Sequence, residues 1–540
     1  MRSVWVKSWK SLSNRIIINI PLLLFSKMKY ETILIIALWI GSGAAVLGQH
    51  EVYSFRADLT VAEEMQTYFN PDGRLFLFLC QNPWVEPRTQ TWPGPWSKCQ
   101  IFACNVSGMD PSETMRIDGA AEWISTADWT LDRIPEGEYY VQVLWDQDLA
   151  ESGINAPGNL YSEKQRIRID QSVELDIELD RRIGVRIVEE HPLVRKVDMV
   201  SDTLSAWWGR PMHLKASLLL PANYEEGSHA AYPIRYNVAG YGGRYTRVNY
   251  LVRDKEFMNW WHSDDAPGII NVFLDGEGPF GDSYQMDSEN SGPYGYALIH
   301  ELIPHIESRY RGTDSPETRF VDGCSTGGWV SLALQVFYPD HFNGAFSYSP
   351  DAIDFENYQL INIYEDENTF INEYGYPRPI MRDIDGEPLV SWKDFVRVEN
   401  VLGASNTYLN SGGQICSHTA LYSPRGKDGL PQPLIDPVTG KIDHEVARHW
   451  RKYDLKAYCR EHWEELGPKL QGKLFIWMGD MDQFYLNTAT RAFEDFIDRT
   501  ETPRSDAEII FSPMEGHCSK FSHREVLLKI RDRIANIRGQ

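Results

Sequence analysis

The chain's strongest chemical signal is one serine set among glycines, in Asp322-Gly323-Cys324-Ser325-Thr326-Gly327-Gly328. Gly323, Ser325 and Gly327 form a G-x-S-x-G, the pattern of a sharp strand-to-helix turn that presents a hydroxyl to a base. A serine hydroxyl is a weak nucleophile until a base takes its proton, and that base needs an acid to orient it. In enzymes built this way the partners follow in the order serine, acid, histidine, each on a loop after a later strand. Two loops qualify. Gly479-Asp480-Met481-Asp482-Gln483 follows Lys473–Met478, and Met514-Glu515-Gly516-His517-Cys518 follows Glu508–Phe511. His517 is the expected base and Asp482 the expected acid, with Asp480 as the alternative on the same loop. The oxyanion needs N–H donors, expected from the backbone of Thr326 and from Tyr241 or Gly242 in Gly240-Tyr241-Gly242-Gly243. The chemistry this pattern implies is acyl transfer through a covalent serine intermediate.

These residues need a sheet to hold them. Thr318–Val321 before the serine reads as a strand, and the apolar run Trp329–Phe337 after it as a helix. From about residue 190 onward strands alternate with helices, the signature of a mostly parallel α/β sheet. Leu214–Leu220, Ile234–Ala239, Ile269–Leu274, Gly344–Tyr348, Lys473–Met478 and Glu508–Phe511 are the expected strands. Leu298, Ile299, Leu302, Ile303 and Ile306 mark one face of a helix. From about 352 to 465 this order breaks into turns and aromatics, with one long helical stretch at about 443–465, which reads as an inserted cap. Residues 49–190 give strands instead: Leu75–Leu79, Glu138–Trp145, Arg166–Ile169 and Val173–Leu179, at spacings that suggest a β-sandwich. Trp84, Trp92, Trp96, Trp123 and Trp129 fall in this part, as core packing or as a stacking platform for a ligand. The expected fold class is α/β: a sheet domain over 191–540 with its cap, resembling an α/β-hydrolase, preceded by an all-β, sandwich-like domain at 49–190.

With 540 residues and a formal net charge of −23, the chain is a poor candidate for binding nucleic-acid backbones. Residues 1–48 read as leader and signal peptide. Lys29, the apolar run Ile33–Ile40 and the small residues Gly41–Ala45 come in secretory order, with cleavage near Gly48 and a start at Met1 or Met28. The apolar run is shorter than a membrane span, so no stable insertion is expected after cleavage. The seven cysteines contain no C-x-x-C, which argues against zinc. His444 and His449 miss the H-E-x-x-H spacing, and Asp383-Ile384-Asp385-Gly386 is too short for a calcium loop. No cofactor or metal is expected.

About residues 200–350 and 470–540 resemble the putative-esterase branch of the α/β-hydrolases, which includes esterase D, feruloyl esterases and mycolyltransferases. The resemblance rests on Gly240-Tyr241-Gly242-Gly243, Asp275-Gly276-Glu277-Gly278, the Ser325 turn, Gly479-Asp480-Met481-Asp482 and Gly516-His517. Ala239 stands where relatives often carry histidine. A narrower resemblance is to tannases and fungal feruloyl esterases, whose Cys-Ser, Asp, His-Cys arrangement matches Cys324-Ser325, Asp482 and His517-Cys518. It implies a Cys324–Cys518 disulfide, a bond that an exported protein retains. With the secretory-type leader, which points to a secreted or periplasmic protein, the resemblances imply a serine esterase acting on small-molecule or polysaccharide esters, including phenolic ones. The alternatives are an acyltransferase with the same three residues and a non-catalytic carbohydrate-binding protein on the same fold.

Overall fold

The short apolar runs of the second half become one sheet. In the computed structural model, which describes residues 52–94, 98–148 and 151–538, eight strands of the described residues join in it: β1 (Val194–Val200), β2 (His213–Leu219), β3 (Ile234–Val238), β4 (Ile270–Leu274), β5 (Arg319–Cys324), β6 (Ala345–Tyr348), β7 (Leu474–Gly479) and β8 (Glu508–Ser512). Their order across the sheet is β1-β2-β4-β3-β5-β6-β7-β8. The β1–β2 and β2–β4 pairs are antiparallel and the rest parallel. β3 to β7 are buried along their whole length, which is why they read as near-continuous apolar runs: helices cover both faces. The expected leader, its cleavage site and Trp96 lie outside the described residues.

Helix α1 (Thr326–Phe337) leaves β5 and is buried from Thr326 to Val336. The Leu298–Ile306 face is helical, but its turns widen to a π-helix over Leu298–Leu302 before Ile303–Tyr310 resumes as α-helix. The chain between β6 and β7 includes helix α2 (Gln414–Tyr422) and the helix Trp392–Leu402. The single helix expected at 443–465 is instead His444–Trp450 followed by Leu455–Leu470. Asp454 causes the break: its carboxylate accepts the Ala457 N–H and starts a new helix.

In the N-terminal part, Phe55–Val61 pairs with Val173–Leu179 in a three-stranded sheet, and Gly73–Cys80 pairs with Cys99–Val106 and Gly137–Asp146 in a seven-stranded one. Phe55 and Leu59 of the first meet Leu75, Leu77 and Leu79 of the second in a shared core. The other face of Gly73–Cys80, with Phe76 and Phe78, packs against Val401 and Leu402 of the segment between β6 and β7. Both faces of this strand are therefore covered, which explains its unbroken apolar run. Arg74 reinforces the contact, donating to the Val401 carbonyl at 2.9 Å, and Arg397 donates to the Ala127 carbonyl at 2.6 Å. Among the described residues, no helix is long and apolar enough to cross a membrane.

Candidate active site

Ser325 sits between β5 and α1 with φ 61° and ψ −125°, a conformation that non-glycine residues rarely adopt. The flanking glycines are required by close approach. A Cβ on Gly327 would lie 2.2 Å from the Val238 carbonyl oxygen, and one on Gly323 would lie 2.5 Å from the backbone of Gly327. The turn is tied to the end of β6, with Ser325 N–H donating to Tyr348 O at 3.0 Å.

The loops after β7 and β8 meet beside it. A Cβ on Gly479 would fall 2.4 Å from the Glu515 carbonyl, so glycine is what allows them to pack together. Asp482 is fully buried, and its Oδ1 accepts the N–H groups of Phe484 at 2.9 Å and Leu486 at 3.3 Å. Its Oδ2 lies 2.7 Å from His517 Nδ1. Asp480 turns the other way, its carboxylate paired with Arg491. The His517 N–H donates to Gln483 Oε1 at 2.6 Å, and Phe484 stands edge-on to the imidazole at 5.0 Å. Burial pushes the His517 pKa down, but the charge of Asp482, its hydrogen bond and the charge of Asp351 outweigh burial and hold it above the ordinary value.

Cys324 and Cys518 are joined in a disulfide with Cα atoms 6.0 Å apart, which ties the loop bearing His517 to the strand end bearing Ser325. A second disulfide links Cys80 to Cys99, a pairing the sequence left open, and Cys104, Cys416 and Cys459 are buried thiols. Among the described residues, Cys324, His517 and Cys518 form the one group with metal-ligand proximity, but its sulfurs are bonded to each other and supply no thiolate.

The serine hydroxyl does not bond to the imidazole. Among the described residues its hydrogen-bond contact is Asp351 Oδ1, at 3.5 Å. Asp351 is buried, and its Oδ2 accepts from Tyr284 at 2.9 Å, from Thr326 Oγ1 at 2.9 Å and from His418 Nε2 at 3.3 Å. His418 is held in turn by the Tyr358 hydroxyl. Burial would raise the Asp351 pKa, but the bond to and charge of His418, with the two hydroxyls, keep it below the usual carboxylate range. Sequence reading missed Asp351 and His418. Asp351 had one usable signal: it directly follows the carboxyl end of β6, the side of such sheets where ligands bind. His418, inside α2, had none.

A cavity of about 460 Å³ opens over Ser325, lined also by Trp92, Gly240, Tyr241, Asp351, Gln359, Gln414 and Phe484. Of the expected oxyanion donors, Gly242 is engaged elsewhere, because its N–H donates to Asp282 at 2.7 Å. The N–H groups of Tyr241 and Thr326 have no acceptor among the described residues. Of the five tryptophans expected as core packing or as a stacking platform, Trp92 lines this cavity. Trp92 reaches in from the N-terminal part and packs on Tyr241, Phe395 and Phe484 at 6.1, 5.1 and 6.2 Å. Trp123 and Trp129 pack in the N-terminal core, and Trp84 is 92% exposed. Trp450 and Trp463 are buried against Tyr422 and Phe496, away from this cavity.

Residues 209–508 match the family described as "Putative esterase". The chain belongs to this esterase family, whose fold is that of the α/β-hydrolases. The matched stretch contains Ser325 and Asp482 and ends before His517. Among solved structures the chain is similar to a fluorophosphonate-binding serine hydrolase of Staphylococcus aureus, at 13% identity and TM-score 0.38 over 63% of this chain and 98% of that one. It is also similar to a ferulic acid esterase from Anaeromyces mucronatus, at 13% identity and TM-score 0.31 over 64% of this chain and 90% of that one. A third is an S-formylglutathione hydrolase from Agrobacterium tumefaciens, at 12% identity and TM-score 0.33 over 63% and 93%. No curated protein matches the chain.

Proposed function

We propose that this member of the esterase family is a serine carboxylic-ester hydrolase, with Ser325 as nucleophile, His517 as base and Asp482 as the acid that orients it. The observation that carries this is the 2.7 Å contact of His517 Nδ1 with Asp482, on a loop bonded covalently to the residue before Ser325. With its Nδ1 proton donated to Asp482, the neutral imidazole has Nε2 free to accept a proton. The hydroxyl turns from Asp351 to His517, since such bonds are often long in free enzymes. Oγ attacks the ester carbonyl carbon while its proton passes to Nε2. The oxyanion takes the N–H groups of Thr326 and Tyr241, each worth roughly 2.7–4 kcal/mol in the transition state. His517 then protonates the departing alcohol, and water repeats the sequence in reverse to release the acid.

The aromatic lining of the cavity favours small esters with aryl or sugar parts, including phenolic and polysaccharide esters, and the two disulfides favour an exported protein, secreted or periplasmic. A fluorophosphonate probe tests the nucleophile. It is expected to label the wild type at Ser325 and to leave Ser325→Ala unlabelled and inactive on acetyl, feruloyl and longer acyl esters. Normal turnover by purified Ser325→Ala would overturn the assignment.

A further inference from the structure

Resting on that reading, we infer that Asp351 and Gln359 form an acceptor subsite that selects esters carrying a hydroxyl or ammonium group close to the reacting carbonyl.

The two oxygens of Asp351 differ. Oδ2 has three donors, whereas Oδ1 has among the described residues only the Ser325 hydroxyl, at 3.5 Å. In the acyl-enzyme Oγ carries no proton, so Oδ1 loses that donor as the reaction begins. A buried carboxylate oxygen without a donor is costly, and substrate is the group positioned to replace it. Gln359 gives a second, independent sign. It lines the same cavity, is 7% exposed, and its Oε1 is buried with no partner among the described residues. Its backbone holds φ 47°, an uncommon conformation for a non-glycine residue. Two acceptors short of donors thus belong to residues that line one aromatic-walled cavity.

Distance fixes where the donor sits. Oδ1 lies 3.5 Å from the attacking atom, and a hydrogen bond spans about 2.7–3.2 Å. Once Oγ has bonded to the carbonyl carbon, a group that reaches Oδ1 is attached to the next carbon, or one further, on the acid or the alcohol side. The net charge of −23 raises the local concentration of an ammonium-bearing ester over a neutral one.

The test compares kcat/KM for matched esters in wild type, Asp351→Asn and Gln359→Met. On the acid side the set is ethyl propanoate, ethyl lactate and alanine ethyl ester, and on the alcohol side propyl acetate and 2-hydroxyethyl acetate. The readout is the ratio of donor-bearing to donor-free ester, which cancels a general loss of activity. In at least one pair the ratio is expected to fall about fivefold or more in each folded variant, since sites built to bond a polar group reject analogues lacking it. A larger fall for the alanine than for the lactate ester in Asp351→Asn marks an ammonium, and equal falls mark a hydroxyl. Ratios that change less than this in every pair overturn the inference while leaving the hydrolase reading intact. If wild type hydrolyses none of these esters but is labelled by the fluorophosphonate and hydrolyses feruloyl or longer acyl esters, this inference falls alone; if it is neither labelled nor active on any ester, the hydrolase reading falls and this one with it. Thermal melting checks folding, and if Asp351→Asn does not fold, Gln359→Met decides.

Discussion

His517 Nδ1 lies 2.7 Å from Asp482 Oδ2, while Asp480, on the same loop, pairs with Arg491 instead. The two carboxylates therefore carry very different expectations. Asp482→Asn replaces the acceptor with an amide that orients the imidazole in the wrong tautomer, and kcat is expected to drop about ten-thousand-fold. Asp480→Asn removes a partly exposed ion pair worth about 0–1 kcal/mol, so turnover is expected to stay within about fivefold of wild type. Steady-state kinetics on one ester decides, and the reverse ranking would move the acid to Asp480.

The raised His517 pKa sets the direction of the pH dependence. As the proposed base, His517 works only when neutral, so activity is expected to rise with pH through the folded-state pKa. The acidic limb of kcat/KM is expected above the ordinary histidine value of 6.5. In Asp482→Asn two of the raising causes are gone and burial remains, so the limb of the residual activity moves to lower pH. For stability, the protonated imidazole is favoured in the fold. That contribution is fully present below the unfolded pKa and is lost as pH rises through the folded one. A pH–rate profile with its acidic limb below the ordinary value would contradict the geometry.

The hydrolase sheet was largely legible because buried parallel strands write themselves as apolar runs. Ile234–Ala239 and Ile269–Leu274 fall within a residue of β3 and β4. The site was legible where a motif constrains backbone, as at Gly323 and Gly327, whose missing side chains leave room for Val238 and its neighbours. It was illegible where only the assembled fold decides. Tyr241 and Gly242 are adjacent in sequence, and only the position of Asp282 shows that the Gly242 N–H is engaged. Asp454 resembles any other aspartate until its carboxylate caps a new helix and divides the stretch at 443–465. Trp92 is nearly 150 residues from the Gly240 loop in sequence, so its place in the cavity over Ser325 depends on docking that no local pattern records.

The Cys324–Cys518 disulfide spans 194 residues of chain, so the chain-entropy model gives it roughly 4–5 kcal/mol. Its positional effect is the sharper one, because each cysteine adjoins a proposed catalytic residue. In Cys324→Ala/Cys518→Ala, kcat is expected to fall at temperatures well below the melting transition. Cys80→Ala/Cys99→Ala, whose bond spans 19 residues in the N-terminal part, serves as the comparison and is expected to keep its kcat. Equal kcat in both double variants would show that the bridge near Ser325 only stabilises the fold.

Trp92 tests whether the N-terminal part shapes substrate choice. Its ring meets Tyr241, Phe395 and Phe484 over the cavity, yet it comes from the loop between Gly73–Cys80 and Cys99–Val106. Aromatic contacts of this kind are worth about 0.5–1.5 kcal/mol beyond burial, which is about two- to tenfold in rate. Trp92→Ala is therefore expected to lower kcat/KM for aryl esters by about that factor relative to acetyl esters. Trp450→Phe and Trp463→Phe, in the buried core, are expected to lower the melting temperature and leave the ratio unchanged. The pattern separates a wall of the cavity from a packing residue. A Trp92→Ala enzyme with wild-type relative rates across acetyl, longer acyl and aryl esters would confine substrate selection to the hydrolase part of the chain.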